Sequence, residues 1–231
     1  MRMMVIFEKG FTLRHIGHLD LMRTLQRALR RSGLPLVYSK GFNPHIELSF
    51  ASPLGVGVVG LREVMDVPLE EDISEEEFTQ KLSAAVPSCI KICRARKISK
   101  EFPTMMALVA ASRYTLRFPA GAGSKAIAEK LPEFMALSEY TAMRKTKSGE
   151  NLCNIRPFVV TAQALWQGEE LEIHCVLEAT QQGTLKPSLF AKCLCDFSGA
   201  AGSPCIALRE EILCRAKGGQ LIRMEDYPDA W

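Results

Sequence analysis

The sequence predicts an α+β protein built from two successive β-α-β-β-α-β units. Two amphipathic helical segments alternate with strand-like segments in the first half of the chain. The second half shows a similar order of segments, and a stretch at 98–112 separates the two halves. The chain has 231 residues, of which 47% are hydrophobic and 24% charged, so it has enough apolar material for two small cores.

The elements of the first half follow from local patterns. An apolar run predicts a strand over 2–8, and apolar residues at helical spacing predict a helix over 18–32 that ends at Gly33. Ser74 followed by Glu77 forms a capping box, which predicts where a second helix begins. The remaining segments are predicted as strands at 35–39, 45–51, 62–69 and 89–97 and a helix at 74–86. This order is the ferredoxin-like plan.

The second half repeats this order without evident residue identity. The segments are a strand at 113–120, a helix at 124–137 interrupted by Pro132, extended segments at 139–145, 155–166 and 171–179, and an amphipathic helix at 186–197. Residues 205–216 fit a strand or a helix equally well. The predicted domains are therefore 1–98 and 113–217, with 98–112 as a linker or a packed crossover and 218–231 as a tail.

The charge is distributed unevenly along the chain. Residues 1–62 contain nine lysines and arginines against three acidic residues, and residues 63–80 contain eight acidic residues and no basic one. A local positive field can hold a polyanion although the whole chain has a net charge of only +3.

Four arginines of the first helix fall on the side opposite its apolar residues. The guanidinium group suits phosphate recognition, and the loop after the next strand adds further polar and flexible positions. The alternative is a solvated surface, or a surface paired with the acidic residues from Glu70 to Glu77. The sequence predicts an RNA- or phosphate-binding site made of Arg23, Arg27, Arg30, Arg31, Lys40, Gly41, Asn43 and His45.

The glycine string "GVGVVG" at 55–60 has the letters of a dinucleotide-binding fingerprint. That motif must open a helix, but the residues after it resemble a strand and include Pro68. A P-loop is excluded because no Gly-Lys-Ser/Thr follows. We therefore interpret the string as a hairpin turn permitted by Gly55, Gly57 and Gly60, which can still line a ligand groove.

The eight cysteines predict no disulfide framework, since the chain is not a small core-poor domain. Cys89 and Cys93 begin a CxxxCxxC iron–sulfur pattern, but the third position is Arg96. A zinc site would have to be assembled from Cys193, Cys195, Cys205 and Cys214, whose spacing fixes no geometry. We expect no metal and no cofactor.

Several motifs resemble those of the bacterial radical SAM-linked protein family, whose members carry a domain of unknown function. They are "GHLDLMR", "RRSGLP", "GFNPH" and "PLGVG", with a weaker "NIRPF" at 154–158, and the resemblance spans most of residues 1–200. Members occur beside, or fused to, a B12-binding radical SAM protein. The resemblance therefore implies such a partner but supplies no reaction or catalytic residue. The doubled ferredoxin-like plan is also similar to Cas6-like RNA endonucleases, by analogy of fold alone.

Catalysis by the chain itself would need a general base and acid beside an RNA phosphate. His45, Tyr38 and Lys40 lie near the arginine helix, but His45 can equally form hydrogen bonds within a turn, and His18 suits the helix start. No set of nucleophile, base and orienting residue emerges.

The sequence thus favours a non-catalytic RNA-binding accessory protein that works with a radical SAM enzyme in RNA modification or processing. A metal-independent Cas6-like endoribonuclease and a protein-docking adaptor without RNA binding are the alternatives. No apolar run approaches the roughly 20 residues that span a bilayer. The start of the chain also lacks a signal-peptide pattern. We therefore expect a cytoplasmic protein without a membrane partner.

Overall fold

The computed structural model describes residues 1–146, 149–180 and 183–230. The fold is mixed α/β, and the chain forms two compact units. Unit 1 consists of Met1–Val109 and Arg209–Trp231, and unit 2 consists of Ala110–Leu208. None of the helices in the described part of the chain is long and apolar enough to cross a membrane.

Six α-helices and twelve strands are formed by the described residues. The strands are β1 (Arg2–Lys9), β2 (Ser49–Phe50), β3 (Val58–Pro68), β4 (Ile90–Ile98), β5 (Val109–Phe118), β6 (Thr141–Thr146), β7 (Gly149–Asn154), β8 (Val159–Gln167), β9 (Glu170–Thr180), β10 (Gly183–Thr184), β11 (Ile206–Arg215) and β12 (Leu221–Arg223). The helices are α1 (His18–Arg31), α2 (Glu75–Ala85), α3 (Met105–Leu108), α4 (Ala122–Ala136), α5 (Pro187–Ser198) and α6 (Tyr227–Ala230).

The sheet of unit 1 is centred on β1 and β3. β1 pairs antiparallel with β3 on one side and with β4 on the other. The short strand β2 pairs antiparallel with β3. β11 also lies beside β3, and β12 pairs antiparallel with β11.

Both faces of this sheet are covered, which explains the uninterrupted apolar run in β1. Successive side chains of a strand point to opposite faces. Met3, Val5 and Phe7 pack in one core with the buried residues of α1 and α2. Met4 and Ile6 pack in a second core with residues that follow β4 and residues of β11 and β12.

The elements expected in the first half are present, but the strand expected at 45–51 is reduced to β2 (Ser49–Phe50) and an isolated bridge at Ile46. α1 and α2 have the expected positions, and Ser74 accepts a 3.0 Å hydrogen bond from the backbone N–H of Glu77, as the capping box requires. The strand expected at 35–39 contributes only isolated bridges, Leu36 to Leu69 and Tyr38 to Ile46. The stretch at 98–112, expected as a linker or a packed crossover, contains α3 and the start of β5, and its Phe102 and Met105 are buried.

The tail expected at 218–231 is instead a folded part of unit 1, which we call the C-terminal clasp (residues 221–230). The clasp contains β12, a 3₁₀ turn and α6. Met224 is completely buried, and the ring of Tyr227 lies edge-on to Phe102 at 6.1 Å. Glu225 pairs with Arg62, and Asp229 pairs with Arg96. The clasp covers the sheet face that α1 and α2 leave open, so its apolar residues are held in place.

In unit 2, β9 pairs antiparallel with β5 and with β8, and β6 and β7 form a separate hairpin. α4 and α5 contact each other through Phe134 and Phe190, whose ring centroids are 5.9 Å apart. α4 continues through Pro132, where the sequence predicted an interruption. Of the two alternatives for residues 205–216, the structure forms the strand, β11.

Candidate nucleic-acid interface

The candidate interface is built on α1, whose two sides differ sharply. Leu21, Leu25, Ala28 and Leu29 are buried on one side. At 100° per residue, the four positions 23, 27, 30 and 31 fall on the opposite side. All four arginines are exposed there, as the sequence predicts. We call Arg23, Arg27, Arg30 and Arg31 the arginine face.

The four arginines are not equally free. Arg23 Nη1 donates to Asp20 Oδ1 at 3.1 Å, and both side chains are 65% exposed, so this pair is weak. Arg31 Nη2 donates to the carbonyl oxygen of Ala85, the last residue of α2, at 2.7 Å. Over the described part of the chain, Arg27 and Arg30 have no hydrogen-bond or ion-pair partner. These two guanidinium groups can bind an anion without breaking an existing contact.

A hollow of about 370 Å³ lies beside the arginine face. It is lined by Thr24, Arg27, Arg31, Ala85, Val86 and Pro87. The C-terminal end of a helix carries partial negative charge, which would repel a phosphate. The bond from Arg31 to Ala85 offsets part of that charge at the end of α2.

Among the described residues, the acidic stretch from Glu70 to Glu77 forms no ion pair with this face. Glu77 pairs with Lys81 at 2.7 Å, and Asp72 pairs with Lys97 at 2.8 Å. Glu75 accepts a hydrogen bond from the backbone of Lys97. The partners of these acidic residues are thus Lys81 of α2 and Lys97 of β4. These contacts give no support to the alternative in which the acidic stretch pairs with the arginine face.

The other predicted site residues lie in the loop formed by residues 39–45. The loop is closed by two backbone hydrogen bonds, Ser39 N–H to His45 C=O at 2.9 Å and Glu47 N–H to Val37 C=O at 2.9 Å. Gln26 Nε2 donates to the carbonyl oxygen of Ile46 at 3.2 Å and so ties the base of this loop to α1. Lys40, Gly41, Asn43 and His45 are all exposed.

Within the 39–45 loop, His45 has a structural partner and Gly41 a conformational role. His45 Nδ1 lies 2.8 Å from Ser39 Oγ, which also accepts a hydrogen bond from the backbone N–H of His45. Gly41 has φ of 145°, which favours glycine. Sequence reasoning did not select Phe42, whose side chain is the most exposed large apolar group in the described residues. The sequence signal that could have identified Phe42 is an aromatic residue between Gly41 and Asn43, in a segment where a turn is expected to be exposed.

A buried charge cluster in unit 1 also escaped the sequence analysis. Arg209 forms two hydrogen bonds to the carboxylate of Glu63, at 2.8 and 2.5 Å, and both residues are 2% exposed. Arg209 also donates to the hydroxyl and carbonyl oxygens of Ser52. The pair therefore ties the glycine-rich segment that precedes β3 to β11.

Two further titratable groups lie around this cluster. Lys9 is 1% exposed and donates from Nζ to the carbonyl oxygen of Ile16 at 3.0 Å, and burial lowers the pKa of its ammonium group. Burial, with a contribution from Arg209, also lowers the pKa of His18, whose ring packs edge-on to Phe50. Lys9 thus holds the segment before α1, whereas His18, the first residue of α1, packs the start of the helix against Phe50 of β2.

The glycine string has a structural role at Gly60. Gly60 lies inside β3, and a Cβ atom there would come within 2.6 Å of the Glu63 side chain. The absence of a side chain therefore makes room for the buried carboxylate. Gly57, with φ of 87°, forms the turn before β3. The helix that a dinucleotide fingerprint requires does not follow.

The cysteines do not gather into a metal site in the part of the chain that the structure describes. No group of three or more metal-ligating side chains is present there. Burial raises the pKa of Cys193 to about 11 and the pKa values of Cys205 and Cys214 to about 12. Thiols with such pKa values stay protonated at neutral pH and are poor nucleophiles and ligands.

A family model described as "Uncharacterized protein conserved in bacteria (DUF2344)" matches residues 2–187. The matched range includes the arginine face and the 39–45 loop. No curated protein matches the chain.

Proposed function

The chain belongs to the DUF2344 family of proteins conserved in bacteria, and from this premise we propose that it is a non-catalytic, cytoplasmic RNA-binding accessory protein. The interface consists of the arginine face of α1 and the 39–45 loop. The observation that carries the proposal is the pair Arg27 and Arg30, exposed and without a partner among the described residues. The bond from Gln26 to Ile46 connects their helix to the loop that carries Lys40 and Asn43.

The size of the arginine face sets the expected affinity. At 1.5 Å rise per residue, positions 23 to 31 extend over roughly 12 Å. That length suits two or three phosphates of one strand. Contacts to phosphates carry no sequence information, and their strength falls as salt concentration rises because counterions are released. The proposal therefore predicts modest, salt-dependent binding with little preference for RNA sequence.

The test is a comparison of two charge-matched variants. Arg27→Gln/Arg30→Gln removes the two free guanidinium groups, and Lys91→Gln/Arg94→Gln removes the same charge from exposed positions of β4. Fluorescence anisotropy with single-stranded RNA at several salt concentrations measures both affinity and salt dependence. The α1 variant should bind more weakly, with a salt slope lower by roughly one to two units. The β4 variant should bind like the wild type. Equal affinity of the α1 variant and the wild type at low and high salt would refute the interface.

The same protein and RNA distinguish the two alternative functions, the endoribonuclease and the protein-docking adaptor. Discrete metal-independent cleavage of RNA that is lost in His45→Ala would favour a Cas6-like endoribonuclease. The bonds between His45 and Ser39 supply a structural reason for this histidine and give cleavage no positive support. A protein-docking adaptor would bind no RNA and would bind its partner with little dependence on salt.

A B12-binding radical SAM enzyme remains the proposed partner. This part of the proposal rests on the motif resemblance alone. Co-purification of a radical SAM enzyme with the tagged full chain is the measurement, and its absence from a pull-down in the native host would count against the partnership.

We also propose a ferredoxin-like plan for each unit. In unit 1 it is supported by the strand order β2-β3-β1-β4 and by the packing of α1 and α2 in the same core. In unit 2 it is supported by the element order β5-α4-β8-β9-α5, interrupted by the hairpin of β6 and β7, with β9 between β5 and β8. Such a doubled plan would also be Cas6-like, an analogy that concerns architecture and not activity. An experimental structure in which either unit lacks this order would refute the plan.

A further inference from the structure

The side chain of Phe42 stands out from the rest of the molecular surface. Its relative exposure is 105%, against 70% for Leu152, the next most exposed large apolar residue in the described part of the chain. Covering an exposed aromatic ring removes apolar surface from water and therefore favours binding. A partner that covers this ring would therefore gain binding energy without disturbing the fold.

The ring is carried by a braced loop. Ser39 and His45 close the loop through backbone and side-chain hydrogen bonds, and Gln26 fixes its base to α1. The chain entropy of the loop is therefore partly lost before any ligand binds, which favours binding through Phe42. Lys40 is exposed in the same loop, and Arg27 lies on the helix to which the loop is tied.

We propose that Phe42 stacks on an unpaired base and that the ligand of this interface is single-stranded RNA. The inference rests on the proposed function and specifies the class of RNA. Only a single strand offers both phosphates for the arginine face and an open base surface for an aromatic ring. In a duplex the base surfaces are covered by their neighbours, so the ring has nothing to stack on.

The surroundings of the ring argue against a protein partner. A stable protein interface buries about 1,600 Å² and has an apolar centre. Phe42 is a single ring that shares its loop with the exposed Lys40 and Asn43, and Gln26 ties this loop to the helix that carries the unpartnered Arg27 and Arg30. A neutral apolar partner would have to desolvate these charges, whereas a nucleotide offers a phosphate for the cations and a base for the ring.

The experiment compares single-stranded and duplex RNA of one sequence. Fluorescence anisotropy is measured for the wild type, Phe42→Ala, Phe42→Trp and the control Phe11→Ala. Phe11 is a matched control because its side chain is also exposed, by 51%. Its ring already stacks with Arg14, whose guanidinium carbon lies 3.8 Å from the ring centroid. All four proteins should unfold at the same urea concentration, since the ring of Phe42 lies outside the core.

Phe42→Ala should weaken binding of the single strand roughly five- to a hundredfold, the range for loss of one base–aromatic stack. Its salt slope should equal that of the wild type, because the ring carries no charge. Phe42→Trp should retain the affinity, and Phe11→Ala should bind like the wild type. Weak binding of the duplex should be the same in all four proteins. A 2-aminopurine base placed in the single strand should lose fluorescence on binding to the wild type and keep it with Phe42→Ala.

The outcomes separate this inference from the proposed function. If Arg27→Gln/Arg30→Gln weakens RNA binding and Phe42→Ala does not, the stacking inference is wrong while the RNA interface stands. Equal losses for single-stranded and duplex RNA in Phe42→Ala would also overturn stacking. If the wild type binds neither RNA, both proposals fail. Loss of a bound protein partner in Phe42→Ala, with RNA binding unchanged, would assign the ring to protein docking instead.

Discussion

Arginines of unit 1 differ in burial and in whether they have a partner, as Arg209 and Arg27 illustrate. Arg209 is buried, and each of its three guanidinium nitrogens donates a hydrogen bond to Glu63 or to Ser52. Arg27 is exposed, and among the described residues no acidic group or carbonyl accepts from it. A buried guanidinium must be fully paired because desolvation of an unpaired charge costs several kcal/mol. An exposed one stays solvated and is available for a ligand. Partner and burial, not residue type, therefore distinguish structural arginines from candidate functional ones.

This difference changes the interpretation of the basic N-terminal half. Of the nine basic residues in 1–62, three are buried or paired with a buried carboxylate: Arg2 pairs with Asp66, Lys9 is buried, and Arg62 pairs with Glu225. Their charge adds little to the field outside the protein. The remaining positive charge is concentrated on α1 and the loops beside it, which makes the candidate interface smaller and better defined than the charge count implied.

The largest effect is expected from Arg209→Met, which leaves the Glu63 carboxylate buried without its partner. We expect the free energy of unfolding, measured by urea denaturation, to fall by about 3–5 kcal/mol. The double variant Arg209→Met/Glu63→Leu removes both charges and should recover most of that loss. A single variant as stable as the wild type would mean that Arg209 is no more structural than Arg27.

The next effect concerns the C-terminal clasp, which is held by an apolar anchor as well as by ion pairs. Met224→Ala removes a completely buried side chain and should lower the free energy of unfolding by roughly 3 kcal/mol, through lost transfer free energy and the cavity that remains. Met106→Ala is the control, because Met106 is 59% exposed and should change stability by less than about 0.5 kcal/mol. Equal stabilities of the two variants would show that the clasp is not part of the core.

A smaller effect is expected from Gly60→Ala, which tests the space that Glu63 occupies. The new Cβ atom would lie 2.6 Å from Cγ of Glu63, so the carboxylate must shift from its two bonds with Arg209. Overpacking of this kind costs about 1–3 kcal/mol of unfolding free energy. In Gly55→Ala the nearest atom would be Val58 Cγ2 at 3.7 Å, an ordinary contact, and stability should hardly change. Thermal unfolding of the two variants gives the comparison.

The smallest effect on stability is expected from Arg27→Gln/Arg30→Gln. Exposed charges without partners contribute little, so the free energy of unfolding should change by less than about 0.5 kcal/mol. The variant should therefore lose RNA affinity while its urea midpoint stays at the wild-type value. A loss of stability close to that of Arg209→Met would show that Arg27 and Arg30 stabilise the fold as Arg209 does. The reason for proposing an interface would then be lost.

Much of the local structure of the first half could be predicted from the sequence. The spacing of Leu21, Leu25 and Leu29 predicted both α1 and its buried side, and Ser74 with Glu77 predicted the start of α2. Such features depend on neighbours within a few residues, and a helix repeats every 3.6 residues whatever surrounds it. The exposure of the arginine face followed from the same periodicity.

The extended elements were harder to predict. The segment at 35–39 contains Pro35 and forms only bridges, because whether an extended segment becomes a strand depends on a partner elsewhere in the chain. The clasp was missed for a related reason. Its short sequence mixes apolar and charged residues, and only the sheet face that it covers gives Met224 and Tyr227 something to pack against.

The sequence by itself determined α1, its apolar and arginine sides, the capped start of α2 and the clustering of positive charge near the N-terminus, because each depends on residues close together in the chain. Only the tertiary structure decided which charged side chains are buried or paired within the fold. Arg209 and Glu63 are separated by 146 positions, and Arg62 and Glu225 by 163. No local pattern relates such residues. Their pairing is imposed by the order of strands in the sheet, and the cost of burying a lone charge then requires that each find a partner.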